Sequence, residues 1–144
     1  MGRGYIETFR GMVYPRHCDH QGHMTTMHYV GMFDPAFYHQ VAAMGFTRAY
    51  LAANGTGFVD VKDTIEYRRE LVVGALVVVE SGLLRLGRSS MTAFHVMRDA
   101  DTGTIAATSE KVSAYFDLAA RATLPLPDDR RAVMETFLVP RRNG

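Results

Sequence analysis

Between Met27 and Gly45 the apolar residues Val30, Phe33, Phe37, Val41 and Met44 recur at i, i+3, i+7, i+11 and i+14, the spacing of one continuous helical face. Tyr29, Met32 and Ala36 widen that face, so the helix must lie buried over most of its surface. Pro35 interrupts the pattern, because its ring presses on the carbonyl of Gly31 and removes one hydrogen bond. The spacing therefore predicts either a kink at 31–35 or a short break, with Asp34 capping a new start. Beyond Gly57 the period changes to two. In residues 59–68, Val59, Val61, Ile65 and Tyr67 alternate with Asp60, Lys62, Thr64, Glu66 and Arg68, giving a strand with one apolar face.

Further strands are expected over 75–86, 89–98 and 104–117, joined by turns at Gly87 and at Asp99–Gly103. An initial strand over 5–14 is stopped by Pro15, a short helix over 47–53 ends at Asn54-Gly55, and a last helix covers 128–138. An apolar helix among consecutive hairpins has one economical solution: it lies against an antiparallel sheet in an α+β domain. Such a sheet leaves an open edge, which a second copy of the chain commonly covers.

At 144 residues, 47% hydrophobic and 22% charged, the chain is expected to form one domain over 1–144. No apolar run approaches the roughly 20 residues a membrane span needs. Nor does the N-terminus carry the apolar core of a secretion signal. Cys18 is the single cysteine, which excludes an internal disulfide and fits a reducing compartment, so a cytoplasmic location is expected. The net charge is +1 and the pI about 8.0. The basic pairs Arg68–Arg69, Arg130–Arg131 and Arg141–Arg142 are scattered rather than gathered into a stripe, which argues against nucleic acid as a partner.

Chemistry concentrates in one place. Four of the six histidines, His17, His20, His23 and His28, lie in the polar run that precedes the apolar helix. A helix N-terminus presents unpaired N–H groups and a positive dipole end, both suited to developing negative charge. A carboxylate there stays ionised and can attack a carbonyl or activate water, while a backbone N–H holds the resulting oxyanion. Asp19 is the only carboxylate between Glu7 and Asp34. Taken alone, it serves equally well as an Asx-turn residue organising the loop.

The stretch Val13-Tyr-Pro-Arg-His-Cys-Asp-His-Gln-Gly-His-Met, with His28-Tyr29 and Phe33-Asp34, resembles the 4-hydroxybenzoyl-CoA thioesterase branch of the hotdog-fold family. Asp19, Gly22, His28 and Tyr29 match that motif by position. Tyr67-Arg-Arg-Glu-Leu with Gly74, and Arg88-Ser-Ser, resemble the family's later strands. The similarity spans about residues 5–117, with a helical tail over 126–144. It implies a hotdog fold, a five-stranded antiparallel sheet wrapped around a long central helix. The implied reaction is hydrolysis of an acyl-CoA to the free acid and CoA, without a cofactor beyond the CoA of the substrate. Asp19 would be nucleophile or general base, with the N–H groups of Thr26, Met27 and His28 at the oxyanion. Gly22, His23 and Tyr29 would line the substrate, and Arg88, Ser89 and Ser90 would approach the nucleotide of CoA. The resemblance also implies a homodimer, or a dimer of dimers, with sites between subunits. The sequence departs from the family at His28, where Asn is frequent, and at Ala75, where Asp is frequent.

Other assignments compete. His17, His20 and His23 could bind zinc, but their spacing in an irregular segment is not that of helical ligands, and no metal is expected. Cys18 with a neighbouring imidazole would make a thiol nucleophile, although Asp19 faces the site in the family-like register. Asp63 falls among the apolar positions of its strand, where an unpaired charge is costly. A bulge turning it outward would resolve this, and an inward Asp63 would touch substrate instead. Two other functions compete with hydrolysis: acyl-thioester hydration or dehydration, and acyl-CoA binding without turnover.

Overall fold

Pro15 ends the first extended segment as expected: β1 spans Ile6–Met12, and a single 3-10 turn occupies Pro15–His17. The computed structural model describes residues 4–141; Arg142 and the end of the predicted tail lie outside the described residues. Helix α1 spans Thr26–Ala43 and passes through Pro35 without a break. The predicted break does not occur. Pro35 lacks the N–H that would bond the Gly31 carbonyl, and Gly31 is exposed, with open space where a side chain would stand.

The buried face of α1 comprises Tyr29, Met32, Phe33, Ala36, Phe37, Gln40 and Val41. Val30, expected within that face, is 43% exposed. The cause is placement: α1 packs on the strands at one side of the sheet and leaves the other side uncovered. Helix α2, Arg48–Asn54, starts where the Thr47 hydroxyl accepts a bond from the Tyr50 N–H and stops at Gly55, whose φ of +65° suits a glycine C-cap.

The remaining strands are β2 Thr56–Tyr67, β3 Leu76–Leu86, β4 Ser90–Asp99, β5 Ile105–Asp117 and a two-residue β6, Ala122–Thr123. The five long strands form an antiparallel sheet in the order β1-β3-β4-β5-β2, with β6 paired to β5. The expected α+β arrangement, a sheet curled around one long helix, is the observed one. Helix α3, Asp128–Glu135, is followed by residues 137–139, which hydrogen-bond both ways with Leu83 beyond the end of β1. Among the described residues no helix is long and apolar enough to cross a membrane.

Phe33 and Phe37 anchor α1 on the sheet; burial of each stabilises the fold by about 2 kcal/mol. Beneath them runs a row of polar residues. Ser81, His95 and Ser109 stand opposite one another on β3, β4 and β5. Thr8 Oγ1 and Ser81 Oγ are 2.8 Å apart, and Ser81 Oγ lies 2.5 Å from His95 Nδ1. The imidazole packs against both phenyl rings. Lys111, also buried, extends over the Phe37 ring with its ammonium 3.7 Å from Asp34 and 3.6 Å from Asp60. Complete burial, reinforced by the Lys111 charge, pushes His95 down to about 3.

An unfolded chain would protonate this imidazole near pH 6.5, while the folded one keeps it neutral to about pH 3. The unfolded state therefore binds more protons in that window, and stability falls as the pH drops through it. His95 alone should contribute a loss approaching about 1.4 kcal/mol per pH unit below pH 6. Denaturant titrations between pH 7 and pH 4 should show this slope in the parent protein and a shallower one in His95→Leu.

Candidate active site

Residues 18–24 form a small closed loop ahead of α1. Cys18 and Met24 pair across it, the Gly22 N–H donates to the Asp19 carbonyl, and Gly22 takes φ +81°. That backbone conformation is one only glycine adopts at little cost. Asp19 Oδ1 accepts from the Gln21 N–H at 2.9 Å and from the His23 N–H at 3.3 Å. The side chain thus performs the Asx-turn role, and its second oxygen takes part in neither bond. The Gln21 N–H foremost, then the His23 N–H and the charges of His20 and His23, hold the exposed Asp19 carboxyl below the usual carboxylate range. It is ionised at neutral pH.

Asp19 borders a cavity of about 340 Å³ that also takes in His23, Thr26 and Tyr29. Thr25, at the N-cap, makes no side-chain capping bond. Among the described contacts the N–H groups of Thr26 and Met27 donate to no acceptor, whereas the His28 N–H donates to the Thr25 carbonyl. The ionised carboxylate and the open end of the helix therefore share one recess. Its far wall is the last residue of β2, Tyr67, and the segment that follows it, Arg68, Arg69 and Glu70. Tyr67 stands edge-on to Tyr29 at 5.1 Å, and Glu70 lies 3.2 Å from His23 Nε2. Burial raises the Tyr29 hydroxyl above the ordinary tyrosine value.

Some predicted site residues lie elsewhere. Met27 is 70% exposed and His28 points into a different cavity, beside β1, where its ring lies 4.9 Å from His17. The three loop histidines are not brought together: His17 packs at a tilt against His28, His23 pairs with Glu70, and His20 is exposed. Among the described residues no group of three potential ligands is placed to hold a metal. Cys18 is a free thiol directed at the Tyr14 carbonyl.

Asp63 departs from the preferred expectation. β2 is bulged, but at Val61, between Asp60 and Lys62. Asp63 stays on the helix-facing side opposite Lys111 and accepts a 2.7 Å bond from Ser109. A bulge upstream of Asp63 turns Val59 rather than Asp63 to the other face. Asp63 tolerates its charge because β2 overhangs the helix and leaves it solvated.

Arg88, Ser89 and Ser90 occupy the β3–β4 turn, at the end of the sheet away from Asp19. Its carbonyls are already used: Gly87 accepts from Arg131, Arg88 from Leu126 and Ser89 from Tyr115. About ten strand residues, roughly 33 Å, separate this turn from the Asp19 end within one chain. The largest described cavity, about 660 Å³, is also remote from Asp19, between the outer face of α1 and α2.

Tyr67, Arg68, Arg69 and Glu70 were not among the residues expected to line the site. The available signal was a basic pair directly after the first long strand, which composition alone reads as surface charge.

Two substitutions separate the structural from the chemical role of Asp19. Asn keeps an oxygen for the Gln21 and His23 N–H groups, so Asp19→Asn should leave the thermal midpoint unchanged. Asp19→Ala removes the acceptor and should lower it, as differential scanning fluorimetry would register.

Residues 13–135 match the family described as the thioesterase-like superfamily. Among solved structures, a Staphylococcus aureus protein in complex with CoA is similar to this chain with a TM-score of 0.88 at 16% identity, over 100% of this chain and 91% of its own. A 1,4-dihydroxy-2-naphthoyl-CoA thioesterase from Synechocystis is similar at 0.76 and 13% identity, covering 92% of this chain and 96% of its own. A gentisyl-coenzyme A thioesterase is similar at 0.76 and 20% identity, over 88% and 98% respectively. These likenesses are of fold. No curated protein matches the sequence.

Proposed function

Because the chain belongs to the thioesterase-like superfamily and is thereby placed among thioester hydrolases, we propose that it hydrolyses an acyl-CoA thioester with Asp19 as the reacting carboxylate. One observation carries the reading: an ionised side chain with an uncommitted oxygen shares a recess with the unpaired N–H of Thr26. A thioester carbonyl entering that recess meets the Thr26 N–H at its oxygen and Asp19 at its carbon. Asp19 either attacks the carbon or takes a proton from a water that does so. The oxyanion collapses and the C–S bond breaks, expelling the CoA thiolate. On the water route the thiolate takes the proton that Asp19 removed and the acid is released directly, whereas attack by Asp19 leaves a mixed anhydride that a water then opens, returning the Asp19 carboxylate, releasing the acid and supplying the thiol proton. Tyr29, Tyr67 and His23 line the acyl side.

Two of the similar structures are thioesterases of aromatic acyl-CoAs and one is a CoA complex, which supports CoA as the carrier. CoA phosphates suit Arg68 and Arg69 on the cavity wall. They also suit the Arg88–Ser90 turn, provided a second copy supplies it. β2 is an edge strand exposed along its middle, and antiparallel pairing with itself is the simplest cover. Centred on Thr64, that pairing sets Lys62 opposite Glu66. Centred one residue earlier it sets Asp60 against Glu66, and one later Lys62 against Arg68, both like-charge contacts. In the Thr64 register Val59 of the second copy abuts Arg69. Ser90 stands beside Val59 through Ala114 of β5, so the second copy's turn comes within about three strand spacings, roughly 14 Å, of Arg69 on the wall of the Asp19 cavity.

Thiol release from a panel of short, medium and aromatic acyl-CoAs tests the reaction. Asp19→Asn should lower kcat by about 100-fold or more with KM little changed, and turnover at the parental rate would remove Asp19 from the mechanism. A single turnover in labelled water separates the routes: label in Asp19 indicates an anhydride intermediate. Thr64→Pro should block the ladder, giving a monomer by sedimentation and a matching loss of turnover; a dimeric, active Thr64→Pro would refute the shared site.

A second reading has its own support. His23 and Glu70 form a His–carboxylate pair on the same cavity, the grouping that acyl-thioester hydration or dehydration uses. An absorbance change from conjugated enoyl-CoA, lost in Glu70→Gln but kept in Asp19→Asn, would favour it over hydrolysis.

A further inference from the structure

On the opposite side of the first turn of α1 from Asp19, a second cavity of about 230 Å³ opens between the helix and β1. Its floor is apolar, with Phe9 from β1 and Met32 from α1. The cleft is held open by Gly31: a side chain built there meets no atom within 4 Å and would project into free space. Gly31 also eases the passage of Pro35 four residues later, but that need is met by the backbone and does not require the space beyond it.

The rim has one chemical character. It carries Arg16, His17 and His28, and none of the lining residues is acidic. The Arg16 guanidinium lies 4.6 Å from the centre of the Tyr14 ring, which orients it along the rim. His17 Nδ1 accepts the Tyr14 N–H at 3.0 Å. In the neutral ring the proton must then sit on Nε2, so the free edge of His17 is a donor. The His28 ring lies 4.9 Å away, tilted by 58°. Burial, with the nearby Arg16 and His28, holds the His17 proton affinity below its ordinary value; the rim repels further positive charge and accommodates negative charge.

We propose that this cavity is a binding site for a small carboxylate with a flat apolar body, its carboxylate on Arg16 and the His17 Nε2–H and its body on Phe9 and Met32 beside Gly31. A guanidinium and an imidazole N–H suit a carboxylate, and thioether and phenyl groups suit a planar apolar ring. The volume admits a single ring and excludes a CoA-sized ligand. The site is separate from the Asp19 recess and does not rest on the hydrolytic reading.

Benzoate is the probe, followed by shifts of the histidine ring resonances in the full chain. Saturable shifts are expected at His17 and His28, with none at His23. Gly31→Leu should fill the cleft and weaken binding at least tenfold. Arg16→Gln, at an exposed position, should weaken it similarly and serves if Gly31→Leu does not fold. Asp19→Asn should bind as the parent does. Inorganic phosphate, an anion without an apolar body, should bind at least tenfold more weakly than benzoate. The proposal is overturned if benzoate does not bind, if its shifts centre on His23, if phosphate binds as well, or if folded Gly31→Leu or Arg16→Gln retains parental affinity.

Discussion

The seating of Phe33 and Phe37 on the concave face of the sheet is the contact on which the rest of the molecule depends. These rings bury α1 along one side and thereby set where the helix begins relative to the strand ends. With α1 held there, its first turn must open at the end of the sheet where β1 finishes and β2 exits, and the loop from Cys18 to Met24 has to bring the chain to that point. The open N–H groups of Thr26 and Met27 are a geometric consequence of this packing. Two rigidly buried aromatic residues near the middle of the helix thus decide the position of donors about two turns away.

The same contact tolerates an unusual amount of buried polarity. Thr8, Ser81, His95 and Ser109 cross the sheet beneath the two rings, and Lys111 lies over one of them. Each offsets its desolvation through a neighbour, except at His95 Nε2, which, like Oε1 of the buried Gln40, has no hydrogen-bond partner among the described residues. Keeping His95 neutral is what makes this row compatible with the apolar helix: a charged imidazole between two phenyl rings and a lysine would have no counterion. The carboxylates that answer Lys111, on Asp34 and Asp60, stand at the open flank where β2 overhangs the helix.

The legible parts of the sequence were those governed by local periodicity. The 3.6 pattern of α1, the alternation of β2 and the turn residues at Gly87 and Gly103 depend on near neighbours, and the observed elements follow them. Val30 and Asp63 were less legible because their exposure depends on which strands the helix covers, a tertiary choice that periodicity does not encode. The Val61 bulge belongs with them, since one extra residue in an edge strand leaves no mark in composition. Asp19, Thr26 and Tyr29, grouped through the family resemblance, do line one cavity beside the start of the helix. His28 was assigned to the same group by its place in the family motif, and the Tyr67–Glu70 wall was missed because it is about forty residues distant along the chain.

The separation of His28 from Asp19 has a simple geometric origin with chemical consequences. Successive helical residues are turned by about 100°, so Thr26 and His28 point to nearly opposite sides of one turn. One side joins a carboxylate loop and carries Asp19; the other joins β1 and carries Arg16, His17 and His28. The two recesses share a helix end yet differ in charge: the Asp19 side sets two carboxylates beside two guanidiniums, whereas the β1 side has Arg16 and no carboxylate. The proposed hydrolysis needs a carboxylate beside the helix-end donors, and of these two cavities only the Asp19 side is lined by carboxylates. An anion needs donors without a competing carboxylate, which is the condition on the β1 side. Exchanging the two proposed roles would require moving a charge through the helix, so the division follows from where the sheet places α1 rather than from any one side chain.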